Sequence, residues 1–246
     1  MAQAAYRFGT ATTGETFGIP LDGPQVTFML RGGRHSLRSE LAQRYFALHH
    51  KAASQTALAD AMLTLEGIGQ AWETELHLRV APDGLERSTW IDLGDDTGRA
   101  IHLTDNSWTI QQRAPILFRR TALTAALPEP VSHGQGLDVL WRLLNVEPAD
   151  RPLVAAWLVA ALVPNIPHPT LALFGEQGTG KTTATKLLVS IVDPSPVPAR
   201  KPPRDADSWV TAAAGSWVVA IDNLSTIPLW LSDSLCRAVT GDGDVR

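Results

Sequence analysis

Four residues in one short stretch have the types and spacing to hold phosphate. Gly175, Gly180, Lys181 and Thr182 match G-x-x-x-x-G-K-[ST]. Glu176, Gln177, Gly178 and Thr179 stand between them and Thr183 follows, so residues 175–183 form one candidate loop for a nucleoside triphosphate. The glycines admit backbone conformations that turn successive amide N–H groups inward on phosphate oxygens. Lys181 is expected to reach the β- and γ-phosphates and Thr182 to set its hydroxyl on Mg2+. A helix starting there adds the positive end of its dipole.

Such a loop needs a strand before it and a helix behind it. Leu171–Phe174 supplies an apolar, strand-like run, and Ala184, Leu187, Leu188 and Ile191 recur at helical spacing. A metal carboxylate is expected at the end of a second buried strand. Trp217–Ile221 is apolar and ends in Asp222, 222 − 181 = 41 residues after Lys181. Asp222 is therefore the candidate second metal residue beside Thr182, and Asn223 follows it directly. Between the two runs, Pro194–Pro203 reads as a loop and Asp205–Ala214 as a short helix. Arg200, Lys201 and Arg204 cluster near the site, either to meet DNA or phosphate or as a solvated loop.

Composition narrows the classes. A formal net charge of −4 with pI near 6.0 gives no basic excess, so any nucleic-acid contact must rest on a local patch or an oligomer. Cys236 is the single cysteine, which excludes a disulfide framework and suits a reducing cytoplasm. The first residues lack a signal peptide pattern. The longest apolar run, Leu153–Val163, has 11 residues, against the roughly 20 that cross a bilayer. It is expected to be a buried helix, and no membrane partner is expected.

The first half reads as a small α+β region. Residues 1 to about 35 carry at most short strands such as Gln25–Leu30. Ser36 can cap a helix with Leu37, Leu41, Tyr45 and Leu48 on one face. Ser54 can cap a second, with Leu58, Ala61, Met62 and Leu65 as its stripe and Gly67 and Gly69 as its end. Leu76, Leu78 and Val80 then alternate with Glu75, His77 and Arg79, the pattern of a half-buried strand. Strands around Trp90–Leu93, Arg99–Thr104 and Trp108–Ile110 complete an antiparallel meander. Asp92, Asp95 and Asp96 are expected as solvated turn residues. Two helices and a hairpin also allow a winged-helix DNA binder, but the meander lacks the basic run that a wing needs. A linker at Leu123–Pro130 divides an accessory region, 1–130, from a nucleotide-binding domain, 131–246. The latter opens with helices at Leu137–Leu144 and Arg151–Val163, the second with Asp150 as cap and Pro152 in its first turn.

From His168 to Arg246, about a third of the chain, the sequence resembles the P-loop ATPase domain of phage and mobile-element primase-helicases, the AAA+ relatives grouped as superfamily 3 helicases. The matching motifs are Gly175–Thr182, Val218–Asn223, and Leu235–Asp244, which looks like the family's B′ motif. The resemblance implies an α/β fold with a parallel P-loop NTPase sheet flanked by helices. It also implies Mg·ATP hydrolysis that drives movement on single-stranded DNA, and a homo-oligomer, typically a hexamer. Lys181, Asp222 and Asn223 then carry the catalytic roles. Family members usually place an acid after the metal aspartate, whereas Asn223 can orient water but cannot take its proton. Arg246 precedes the sensor strand and arginine finger of such proteins, so the sheet is expected to be incomplete and the chain to be a fragment. A P-loop kinase and a non-catalytic nucleotide-binding module are the alternatives.

Overall fold

Tyr6–Ala11 (β1) and Thr16–Pro20 (β2) form an antiparallel hairpin in the computed structural model, which describes residues 2–32, 36–84 and 87–241. Phe28–Met29 (β3) extends the β2 edge, within the short run expected at 25–30. Helices Leu37–His49 (α1) and Gln55–Gly69 (α2) follow. Ser54 caps α2 by accepting from the Ala57 N–H at 3.2 Å, whereas Ser36 makes no such bond. Tyr6, Phe8, Leu30, Leu37, Leu41, Met62 and Leu65 close a core between the sheet and both helices.

The stripe expected on α1 holds for its first two turns only, because Leu48 is exposed. On α2, Gly67 does not end the helix. The chain continues to Gly69, which lies against the hairpin: a Cβ there would stand 2.9 Å from Thr16 Cγ2 and 3.1 Å from the Gly9 carbonyl oxygen.

Glu73–Thr74 (β4) pairs parallel with β1 and completes a mixed sheet of order β3-β2-β1-β4. The strand expected across Leu76–Val80 is split between two sheets as Leu76–His77 (β5) and Val80–Pro82 (β6). The break falls at Arg79, a polar position of that alternation that proves fully buried. β6 leads into Thr89–Asp92 (β7), Ala100–Leu103 (β8) and Trp108–Gln111 (β9), an antiparallel meander as expected. Leu117–Phe118 (β10) returns to pair parallel with β5.

The second half is helical. It contains Leu137–Leu143 (α3), Arg151–Ala160 (α4), Lys181–Val192 (α5), Ala206–Ala213 (α6) and Leu229–Thr240 (α7). Pro152 lies in the first turn of α4, but Asp150 makes no side-chain cap bond. Asp205 does cap α6, accepting from the Ser208 N–H at 2.8 Å. Among the described residues no helix is long and apolar enough to cross a membrane.

The expected parallel P-loop sheet flanked by helices is not formed. The described residues form a mixed sheet, an antiparallel sheet and a two-stranded parallel pair, all in the first half, and seven helices. Leu171–Phe174 belongs to no strand and Phe174 is 91% exposed. Trp217–Asp222 has one parallel bridge, between Arg200 and Ile221. A strand persists only where a neighbour takes up its N–H and C=O groups. Here three of their apolar side chains are drawn into helix packing instead: Leu171, Trp217 and Val218 pack on the cluster of Leu140, Leu144, Val154, Leu158, Leu188 and Val192. Short apolar runs do not by periodicity alone distinguish a sheet strand from a buried connection. For the same reason the buried face of α5 is Leu188, Val189 and Val192, with Ile191 40% exposed.

The two halves are tied together. Thr121 Oγ1 donates to the Gly215 carbonyl at 2.8 Å, and Ala125 N–H donates to the Pro194 carbonyl at 2.9 Å. Within the first half, Leu127 N–H donates to the Leu93 carbonyl at 2.8 Å and holds the linker on the meander.

The two glycines of α2 should respond oppositely. Gly67 has open space around an added Cβ, so Gly67→Ala is expected to stabilise by about 0.5–1 kcal/mol. Gly69→Val, forced against Thr16 and Gly9, should destabilise by about 1–3 kcal/mol. Urea unfolding of both variants against the parent checks the pair.

Candidate nucleotide-binding site

The loop 175–180 passes from the unpaired run into α5 with glycine at three left-handed positions. Gly175, Gly178 and Gly180 have φ of 151°, 85° and 86°, and Gly180 is the residue before the first helical turn. A side chain at Gly178 or Gly180 would meet nothing within 4 Å, so it is the backbone conformation that calls for glycine there. The first N–H groups of α5 have no partner inside the helix and Gly180 offers no side-chain cap. That end is therefore available to an anion.

The loop is held from within and from one side. Thr179 Oγ1 donates to the Glu176 carbonyl at 2.9 Å. Asn145, which follows α3, donates from Nδ2 to the Thr179 carbonyl at 3.3 Å. Lys181 folds over the loop, its Nζ donating to the carbonyls of Gly175 and Glu176 at 2.6 Å each and reaching Thr179 Oγ1 at 3.4 Å. Glu176, Gln177 and Thr183 are exposed at its rim.

Asp222 is brought directly to the loop. Thr182 Oγ1 donates to Asp222 Oδ1 at 3.1 Å and lies 3.0 Å from Oδ2, joining residues 40 apart in sequence. Two backbone bonds steady the aspartate: Asp222 N–H donates to the Arg200 carbonyl at 2.8 Å, and Arg200 N–H to the Ala220 carbonyl at 2.9 Å. Asn223 has φ 59°, a left-handed position that Asn tolerates better than Glu does, and its N–H donates to Asp222 Oδ1 at 3.0 Å. Its side chain is exposed beside the pair. These residues fit a Mg-bound triphosphate: one carboxylate and one hydroxyl share a point at the start of a helix, with a lysine and free amides beside it. No cluster of three His, Cys, Asp or Glu side chains poised for a metal occurs among the described residues.

The basic cluster nearby divides. Arg200 donates from Nη1 to the Ala212 carbonyl at 2.9 Å and from Nη2 to Ser216 Oγ, and burial pushes its pKa below the usual arginine value, with Asp193 acting the other way. It is a structural brace, while Lys201 and Arg204 are exposed. The acidic trio also divides. Asp92 is 1% exposed, not solvated, because the Arg120 guanidinium holds both its oxygens, at 3.1 and 2.8 Å. Asp96 is exposed as expected. Of the segment Leu235–Asp244, Leu235–Thr240 completes α7 and Gly241 is its left-handed C-cap; Asp242, Gly243 and Asp244 lie outside the described residues.

Two features had no sequence signal strong enough to find them. Asn145 is an ordinary helix-end residue until the fold brings it to Thr179. The Arg79–Asp193 pair spans 114 positions; a charged residue closing an apolar helix, as Asp193 closes α5, was the one available hint.

Residues 137–246, which hold α3–α7 and the whole loop, match the family model described as actinomycete integrative conjugative element replication protein. The similarity is to a replication protein of a mobile element and suggests a role in DNA replication. No curated protein and no solved structure matches the chain.

Asp95 makes a pH-dependent contribution. Burial works against its ionisation, but hydrogen bonds from Thr97 and Arg99 outweigh that and bring its pKa down from 3.8 to about 2. A depressed carboxyl stabilises the fold above its unfolded pKa and loses that contribution as pH falls through the folded one. Asp95→Ala should therefore melt below the parent at pH 7, and the gap should close between about pH 4 and pH 2, read by thermal unfolding at a series of pH values.

Proposed function

We propose that the chain binds Mg·ATP at residues 175–183 and Asp222, and uses its hydrolysis in mobile-element DNA replication as a helicase-type motor. The observation that carries this reading is the Thr182–Asp222 hydrogen bond beside Lys181 at the start of α5. A hydroxyl and a carboxylate distant in sequence converge at the start of α5, where they would hold the magnesium ion that a nucleotide carries. Lys181 trades its loop carbonyls for phosphate oxygens, and the α5 amides hold the remaining charge. Bound magnesium supplies charge neutralisation on the phosphates. Asn223 orients water by its amide, which gives slower turnover than a carboxylate base in its place.

Single-stranded DNA is the proposed track and further copies of the chain the proposed neighbours. With a net charge of −4, the DNA contact must be local, and Lys201 and Arg204 are exposed cations of the segment that leads towards Asp222. The match to a mobile-element replication protein favours DNA work over phosphorylation of a small molecule.

Lys181→Ala should lower the affinity for labelled ATP at least tenfold, about 1.4 kcal/mol. Unchanged affinity removes the site. Phosphate release that rises with single-stranded DNA supports the motor; ATP binding without turnover, with DNA present, leaves a binding module in its place.

A further inference from the structure

Helix α5 is anchored to the 217–222 run at both ends. At its start Thr182 bonds Asp222. At its end Asp193, the C-cap residue, accepts the Val218 N–H on Oδ2 at 3.0 Å. Thr182, α5, Asp193, Val218 and Asp222 thus form a closed ring, so a shift of Asp193 changes where Asp222 stands relative to Thr182.

The other oxygen of Asp193 faces the first half of the chain. Arg79 Nε donates to Asp193 Oδ1 at 2.9 Å, while Nη1 donates to the Asp92 carbonyl at 3.0 Å and Nη2 to the Ala125 carbonyl at 2.9 Å. Both side chains are almost wholly removed from solvent, at 0% and 7% exposure. The linker is locked to the same point, since Ala125 N–H donates to the Pro194 carbonyl. Stability alone gives a weak reason for an ion pair so buried, because apolar residues of similar volume commonly do as well.

We infer that Arg79 is a positioning residue for the magnesium site: through Asp193 and Val218 it sets Asp222 against Thr182, so that the 1–130 region tunes the metal step of nucleotide binding. The inference rests on the nucleotide reading above. Lys181 and the loop amides meet phosphate directly and do not depend on this path. Loss of Arg79 should therefore weaken the gain in affinity that Mg2+ brings, not the affinity for ATP itself. Coupling of this kind is reciprocal, so Mg·ATP should in turn tighten the junction.

The test is labelled ATP binding, in Mg2+ and in EDTA, by the full chain and its variants. Arg79→Met strands a buried carboxylate, so R79M/D193N, which removes both charges of this pair, is the second variant. In folded protein, judged by a cooperative thermal transition, the Mg2+-dependent gain should drop about tenfold or more, the size of loss usual for groups that orient a metal ligand. The affinity in EDTA should be unchanged, and Arg79→Lys should keep a larger share of the gain than Arg79→Met. An undiminished Mg2+ gain in folded R79M/D193N overturns the inference, as does an equal fall in Mg2+ and EDTA. In the parent chain, hydrogen exchange at the Ala125 amide should slow with Mg·ATP and not with ATP in EDTA; no difference overturns it even where the variants do not fold. ATP binding by the parent that Lys181→Ala abolishes keeps the site whatever these outcomes, whereas no binding by the parent removes site and coupling together.

Discussion

The buried ion pair between Arg79 and Asp193 is the constraint around which the two halves are joined. An isolated charge in such surroundings is prohibitive, and removing one member of a buried pair typically costs about 3–5 kcal/mol. Each partner must therefore be satisfied by more than the other. Arg79 has the backbone carbonyls of Asp92 and Ala125, and Asp193 has the Val218 N–H. The surroundings are shaped to this end. Gly94, at φ 68°, admits no side chain, since a Cβ would stand 2.6 Å from Arg79 Nη1 and 2.7 Å from the Ala125 oxygen. Asp92 gives its carbonyl to Arg79 and its carboxylate to Arg120, so the end of β7 is held by two guanidiniums.

From that anchor the candidate site follows with few further parts. Helix α5 acts as a rigid strut: its far end is pinned by Asp193, and its near end presents Lys181, Thr182 and unpartnered amides. Leu188 and Val192 bind it to α3 and α4, and Asn145 steadies the loop from the same side. Arg200 serves the frame by holding Asp222 through its backbone and the end of α6 through its guanidinium. Positive charge at the loop itself therefore comes from Lys181 and the helix end.

Much of the local structure was legible. Ser54 and Asp205 mark helix starts because their short acceptors reach an N–H three residues on. The meander follows from alternation and its turns. The N-terminal hairpin was not legible, because Gly9 interrupts its strand; the glycine is there to admit Phe17 and Trp72, whose ring atoms would stand 2.6 and 2.7 Å from a Cβ. The parallel sheet expected from two apolar runs does not form, because Leu171, Trp217 and Val218 pack on helices and no neighbouring strand pairs with residues 171–174.

By itself the sequence determined what residues a few positions apart decide: the glycine loop, the helix behind it and its lysine, the capped helices and the meander turns. Backbone conformation and hydrogen bonds of short reach govern all of these. Tertiary structure alone decided that Thr182 meets Asp222, that Arg79 is buried on Asp193, and that residues 171–174 and 217–222 run as connections and not as strands. Those outcomes depend on which distant groups satisfy each buried charge and backbone amide, and no local pattern records that choice.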